Sequence, residues 1–428
     1  MRIPRAHAAG ALLFGVAAVA SCGVGIQPLM PTPILFSDGG AGPLSHVPPD
    51  ERWTPRRVYF ATDRARIGNR QEIAYGNDPS DRVAMGISLI RFGDRSLTWE
   101  ELQRASQELP RDAVIELEND GIVEASEFPR GASSEVAAQP RYAGWILEDL
   151  DRSIVAARDK DILVYVHGAK VNFYNGCAFA AQLDHFMGRD MTSVAFCWPT
   201  RQRISAYALG GDRDRAYRSA ESLASLLKLL ADGTEARRIR VLCWSAGGRV
   251  TTEAIRLLRE RSHDVPIGTL RQRLRLGAVY FAAADVPLDE FLTTMPTING
   301  VVDRFVVSVS SNDSALVAAA RVMGGGSRIG QQGQALTPEQ TALIEDQDRL
   351  VIIDVSAGAG ERGFDITGHR YWFDHPWASL DVILAIRSDL DPAERGLERL
   401  SSDRHWAMPS DYPERISSVL DRASIRRR

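Results

Sequence analysis

The chain has 428 residues, 44% hydrophobic and 25% charged, a globular composition that excludes wholesale disorder. The formal net charge of −4 is small, so nothing global points to nucleic acid or to an anionic membrane surface as a partner. The length suits one large α/β domain with additions.

The N-terminus reads as a targeting segment and stands apart from the fold. Arg2 and Arg5 give it a positive start. Residues 8–20 are apolar but too short to span a bilayer comfortably. The segment ends in Val19-Ala20-Ser21-Cys22, which resembles a bacterial lipobox. Residues 1–21 are therefore expected to be a lipoprotein-type signal peptide, with Cys22 lipidated at the mature N-terminus. Gly23 at the next position favours sorting to the outer membrane, on its periplasmic face. The alternative is an ordinary secretory cleavage site beside a cysteine, which would leave a periplasmic or secreted protein. Residues 22–51, rich in Pro, Gly and Ser, read as a linker.

Structure is expected to begin with a strand over 57–62, followed by Asp63-Arg64, and a second strand over 85–90 with period-two alternation. Residues 101–127 are polar and weakly patterned and read only as an elaboration. From about residue 155 to 390 strands and helices alternate. Strands are expected over 161–166, 193–198, the run ending at Cys243, 276–283, 304–310 and 350–356. Helices are expected over 177–187, 219–230 and 250–260. This order predicts a mostly parallel sheet with helices on both faces, preceded by an N-terminal strand extension. Residues 52–428 read as a single domain.

Beyond Cys22 the cysteines are Cys177, Cys197 and Cys243. No Cys-x-x-Cys spacing occurs, which argues against zinc and redox motifs. Cys197 and Cys243 each end an apolar run and are expected to be buried, inert thiols.

The densest chemical signal is Cys243-Trp244-Ser245-Ala246-Gly247-Gly248. An apolar strand, a tight turn with serine at its apex and an amphipathic helix make a nucleophile elbow, which exposes Ser245 Oγ above a sheet edge. Cys243 stands where the Gly-x-Ser-x-Gly pattern has its first glycine. Acyl transfer by serine further needs a base, a group that orients the base, and oxyanion donors. In an elbow fold the chain order is nucleophile, acid, histidine.

His369, in Gly368-His369-Arg370-Tyr371, follows the 350–356 strand and a glycine-rich connection. It is the expected base, with His375 and His405 as competitors. Asp313 follows the second strand after the nucleophile and is the expected acid. Asp285, after the first such strand, is the alternative acid or a substrate-orienting group. For both aspartates a capping or turn role competes. The backbone N–H groups of Ala246 and Ala169 are the expected oxyanion donors, the second carried on the His167-Gly168 turn. His167 itself is expected to be structural. Trp198-Pro199 and Tyr207 are placed near the site, either as a substrate wall or lid or as packing.

Taken together, these motifs resemble a family of bacterial α/β-hydrolases of unknown function, many of them exported. The marks are Val58-Tyr59-Phe60-Ala61-Thr62-Asp63-Arg64, Val166-His167-Gly168, Phe196-Cys197-Trp198-Pro199, the serine elbow, Ala284-Asp285-Val286, the run Ser310-Ser311-Asn312-Asp313-Ser314-Ala315-Leu316, and Gly368-His369-Arg370-Tyr371. The resemblance implies an α/β-hydrolase fold with Ser245, Asp313 and His369 as its triad. Two departures concern the pocket: Trp244-Ser245-Ala246-Gly247 replaces His-Ser-Met-Gly, and Ala169-Lys170-Val171-Asn172 follows the His-Gly turn where asparagine is usual.

The expected function is a serine hydrolase acting on carboxylic esters, or on related thioester or amide acyl substrates, at the cell envelope. It needs no cofactor and no metal. Its partners are a small-molecule or lipid acyl substrate and the membrane reached through the lipid anchor. The alternative is an inactive hydrolase-fold lipoprotein serving as an envelope binding or scaffold module, suggested by the missing elbow glycine and the altered oxyanion turn.

Overall fold

A computed structural model describes residues 27–37, 42–52, 55–68, 73–137, 139, 145–203, 211–323, 326–333, 336–357 and 368–420. The strands in chain order are β1 (Gln27–Pro28), β2 (Pro55–Arg66), β3 (Tyr75–Phe92), β4 (Glu116–Pro129), β5 (Ile162–Val166), β6 (Thr192–Phe196), β7 (Ile239–Trp244), β8 (Leu276–Ala282), β9 (Arg304–Val309), β10 (Leu350–Asp354), β11 (Glu398–Arg399) and β12 (His405–Ala407). They form one 12-stranded sheet in the order β1-β4-β3-β2-β6-β5-β7-β8-β9-β10-β12-β11. From β2 to β12 every neighbouring pair is parallel, while β1, β4 and β3 extend the sheet by antiparallel pairing and β11 closes the other edge. The fold is thus α/β, with the expected mostly parallel sheet and N-terminal strand extension.

The central strands are buried on both faces, which is why they read as unbroken apolar runs. Along β5, Ile162, Val164 and Val166 face one core, and Leu163 and Tyr165 face the other. The helices α1 (Ile146–Ala156), α3 (Gly211–Gly233), α4 (Gly247–Glu260) and α5 (Leu288–Ile298) cover the first face. The second is covered by α2 (Phe173–Phe186) and α6 (Pro376–Arg387). Helix α3 buries Ala216, Ala220, Leu223, Leu227 and Leu230, the three-to-four spacing of a core-facing stripe. Its first turn carries Asp212 and Asp214, where the helix dipole favours negative charge.

Two expectations are corrected. The described part of the supposed linker packs on the body: β1 pairs with β4, the Met30 N–H donates to Gln182 Oε1 at 2.8 Å, and Leu29, Met30 and Phe36 are buried. The supposed elaboration over 101–127 contains strand β4, and just before it a helix, Trp99–Ala105, with a complete Thr98/Glu101 capping box. β4 escaped notice because its side chains are mostly half-buried or exposed, which blurs the alternation.

Residues 1–26, including Cys22, lie outside the described residues, as does Tyr207. Among the described residues no helix is long and apolar enough to cross a membrane. Cys177, Cys197 and Cys243 are free and buried, with the Cys177 and Cys197 sulfurs 4.0 Å apart. Burial raises the pKa of Cys177 and Cys243 well above the ordinary thiol value.

Candidate active site

Ser245 sits at the carboxyl edge of the sheet, between the end of β7 and the start of α4. Its backbone has φ 52°, a left-handed conformation that a serine adopts only when the surroundings impose it. Those surroundings are visible. The Ser245 N–H donates to Ala282 O at 3.0 Å, and the Ser245 carbonyl accepts from the Asp285 N–H at 3.0 Å and the Gly248 N–H at 3.0 Å.

Gly247 lies so close to the end of β5 that a Cβ there would stand 2.5 Å from Val166 O and 2.7 Å from His167 O. That is the elbow glycine the fold cannot lose. The first glycine position is less demanding. Cys243 is fully buried there, its sulfur 3.4 Å from Tyr280 O, so a small side chain fills the space.

His369 Nε2 lies 2.8 Å from Ser245 Oγ, and His369 Nδ1 lies 2.9 Å from Asp313 Oδ2. All three side chains are buried, Ser245 at 8%, His369 at 6% and Asp313 at 1% exposure. The second Asp313 oxygen accepts from the Leu316 N–H at 3.0 Å, so this aspartate also caps the turn that follows β9. The capping role and the histidine contact coexist in one carboxylate.

The histidine arrives there because of Gly368, whose φ is 65° and whose position leaves no space for a Cβ beside the Asn312 carbonyl. A tilted Trp244 ring, 5.8 Å from the imidazole, supports it from the core side. Below it the Tyr371 hydroxyl donates to Ser308 O at 3.0 Å and accepts from the Ala283 N–H at 3.2 Å. The Gly368-to-Tyr371 motif is thereby tied to β8 and β9.

The competitors are placed elsewhere. His375 caps α6, its Nδ1 accepting from the Trp377 N–H at 3.2 Å, and burial pushes its pKa down to about 4. His405 lies on β12 and faces Glu345 at 3.5 Å. Asp285 is paired with Arg328, whose Nε lies 2.6 Å from Asp285 Oδ1, and Arg249 stands 3.6 Å away. His167 is fully buried, and burial, with the Arg64 cation second, pushes its pKa down to about 3. It stacks on Trp198 at 5.5 Å, and Trp198 donates from its indole to His167 O at 2.7 Å. Trp198 is fully buried, which makes it packing and removes it as a wall or lid.

The two residues expected to supply oxyanion amides lie on the two segments that meet at the serine. Ala246 follows it directly. Gly168 presses against it, since a Cβ there would be 3.1 Å from Ser245 Cβ. Among the described residues, the N–H groups of Ala246 and Ala169 donate to no other backbone or side-chain acceptor. Uncommitted N–H groups beside a nucleophile are what developing oxyanion charge requires. No group of three or more His, Cys, Asp or Glu side chains that could hold a metal occurs among the described residues.

Sequence reasoning gave no role to Arg64 and Arg328, which are buried against the turns flanking the serine. A charged pair, Asp63-Arg64, directly after an apolar run was the available signal for the first. Nothing local marked the second. A family model described as "Alpha/beta hydrolase of unknown function (DUF900)" matches residues 146–379, more than half of the 428-residue chain, and spans Ser245, Asp285, Asp313 and His369 but not Arg64. No curated protein matches.

Proposed function

The chain belongs to this family of α/β-hydrolases of unknown function, and on that premise we propose that it is a serine hydrolase acting on carboxylic esters or related acyl substrates. One observation carries the reading: the unbroken line from Ser245 Oγ through His369 to Asp313, at 2.8 Å and 2.9 Å.

In the proposed reaction Ser245 Oγ attacks the substrate carbonyl carbon while His369 Nε2 takes the hydroxyl proton. The Nδ1–H of His369 donates to Asp313, which holds the ring in the tautomer that leaves Nε2 free and stabilises the imidazolium. The carbonyl oxygen becomes an oxyanion facing the Ala246 and Ala169 N–H groups, each worth about 3 kcal/mol in the transition state. Collapse breaks the bond to the alcohol, which leaves with the proton held by His369. Water then attacks the acyl-serine, with His369 first removing and then returning its proton, and the acid departs.

Envelope placement through a lipidated Cys22, on the periplasmic face of the outer membrane, is part of the same proposal and rests on the N-terminal sequence alone: the basic start, the apolar run, Val19-Ala20-Ser21-Cys22 and, for the outer membrane, Gly23. The inactive-scaffold alternative called for a histidine remote from the serine; a 2.8 Å separation supports catalysis instead. The experiment is labelling with a fluorophosphonate. Wild-type protein should be labelled and Ser245→Ala should not; a wild type that resists labelling overturns the reading.

A further inference from the structure

Thr62-Asp63-Arg64 closes the motif carried on β2, yet it supplies no atom to the line from Ser245 to Asp313. Its burial demands a reason. Arg64 is only 2% exposed and lies between two register shifts in the pairing of β2 with β3. A guanidinium is tolerated in such a place only where acceptors replace its water.

Those acceptors sit on two different elements. Arg64 Nη1 donates to Gly76 O at 3.0 Å and to Asn77 Oδ1 at 3.1 Å. Nη2 donates to Val171 O at 2.7 Å and faces His167 Nε2 at 3.5 Å. Burial lowers the Arg64 pKa only to about 10, so the cation persists at neutral pH.

His167 is neutral there and carries one ring proton. Its Nδ1 lies 2.8 Å from Gly168 O, which only accepts, so the proton is assigned to Nδ1 and Nε2 offers its lone pair to Arg64. The consequence falls on the next peptide. In a trans peptide the C=O and N–H point in opposite directions. With Gly168 C=O turned toward the His167 ring, the Ala169 N–H is turned away from it. Beyond Lys170, whose φ is 61°, the Val171 carbonyl is held by Arg64 and by Thr200 Oγ1 at 3.0 Å. One guanidinium therefore meets both ends of the turn that runs from His167 to Val171.

We propose that Arg64 is a positioning residue for the oxyanion turn, acting through His167 and the Val171 carbonyl to keep the Ala169 N–H aimed at the oxygen formed beside Ser245. The proposal rests on the serine-hydrolase reading. Loss of Arg64 leaves substrate binding and proton transfer intact and misdirects one donor. The loss should be some part of the roughly 100- to 1,000-fold in kcat that removal of a donor brings.

The test is steady-state hydrolysis of p-nitrophenyl acetate and the rate of fluorophosphonate labelling, for wild type, Arg64→Met, Arg64→Lys and Asn77→Ala. Asn77 is exposed, so its replacement loosens Arg64 without emptying a buried site. Arg64→Met should lower kcat about tenfold or more at near-constant KM, with labelling slowed in parallel. Arg64→Lys should recover part of that loss, and Asn77→Ala should show a smaller fall of the same kind. If Arg64→Met does not fold, Asn77→Ala and Arg64→Lys decide. Unchanged kcat in the folded variants, or a rise in KM alone, overturns the proposal while leaving a labelled wild type to uphold the hydrolase. A wild type that is not labelled fails the hydrolase reading itself.

Discussion

Asp285 and Arg328 form a buried ion pair, Oδ1 to Nε at 2.6 Å, in the turn beside Ser245 rather than in the line from Ser245 through His369 to Asp313. The Asp285 N–H also holds the Ser245 carbonyl, so this residue braces the elbow from behind. That separates the two aspartates by kind of effect. Asp313→Asn should keep the fold and lower kcat by about 10,000-fold, because the imidazole loses the partner that fixes its tautomer. Asp285→Ala leaves Arg328 buried beside a lost anion and should lower stability by about 3–5 kcal/mol. Urea unfolding and ester hydrolysis on both variants decide between them. An inactive but stable Asp285 variant beside an active Asp313→Asn would reverse the assignment.

Backbone proximity is the second determinant of the site, and glycines report it. Gly368→Ala places a Cβ against the Asn312 carbonyl at φ 65° and must displace the turn that delivers His369. Gly168→Ala meets Ser245 Cβ at 3.1 Å and Trp244 at 3.3 Å. Each should lose about 1–3 kcal/mol of stability, as overpacking does, and the Ser245 labelling rate should fall with it. Wild-type labelling in either variant would show that the site yields without harm.

The order of the core strands, the strand-turn-helix around Ser245 and the placing of Asp313 and His369 near it were legible because each rests on a local pattern: an apolar run, a turn glycine, a position after a numbered strand. What lay hidden was pairing across the chain. β4 carries so few buried side chains that only its partner β3 reveals it as a strand. Arg64 meets His167 across 103 positions and Asp285 meets Arg328 across 43, and no local periodicity encodes such contacts. Trp198 could be read as a lid or as packing because an aromatic after a strand suits both; its indole bond to His167 O decides for packing.

The N-terminal reading makes a prediction independent of the active site. If Cys22 carries the lipid, Cys22→Ala should move the protein from the membrane fraction to the soluble periplasmic fraction. Fluorophosphonate labelling should be unaffected, since the site lies in the folded body. Membrane fractionation unchanged by the substitution would remove the anchor and leave the hydrolase.

Burial of neutral histidines gives the folded state a defined weakness to acid. His167 is pushed down to about 3, His375 to about 4, and His185 well below its ordinary value, in each case mainly by burial. In the unfolded chain all three titrate near 6.5. Between that value and the folded ones, the unfolded state binds protons that the folded state refuses, so unfolding free energy falls as pH drops through this window. At pH 5 each such histidine subtracts roughly 2 kcal/mol. Buried carboxyls raised by burial, Asp63 and Asp381 among them, act in the opposite sense at the acid end. A single-site comparison isolates the effect. His375→Asn keeps a side-chain acceptor for the Trp377 N–H at the start of α6 but cannot titrate. Its stability relative to wild type should be constant above pH 7 and should rise by about 2 kcal/mol by pH 5, read from urea midpoints along a pH series. A flat difference across that range would show that His375 is protonated in the folded protein as readily as in the unfolded chain.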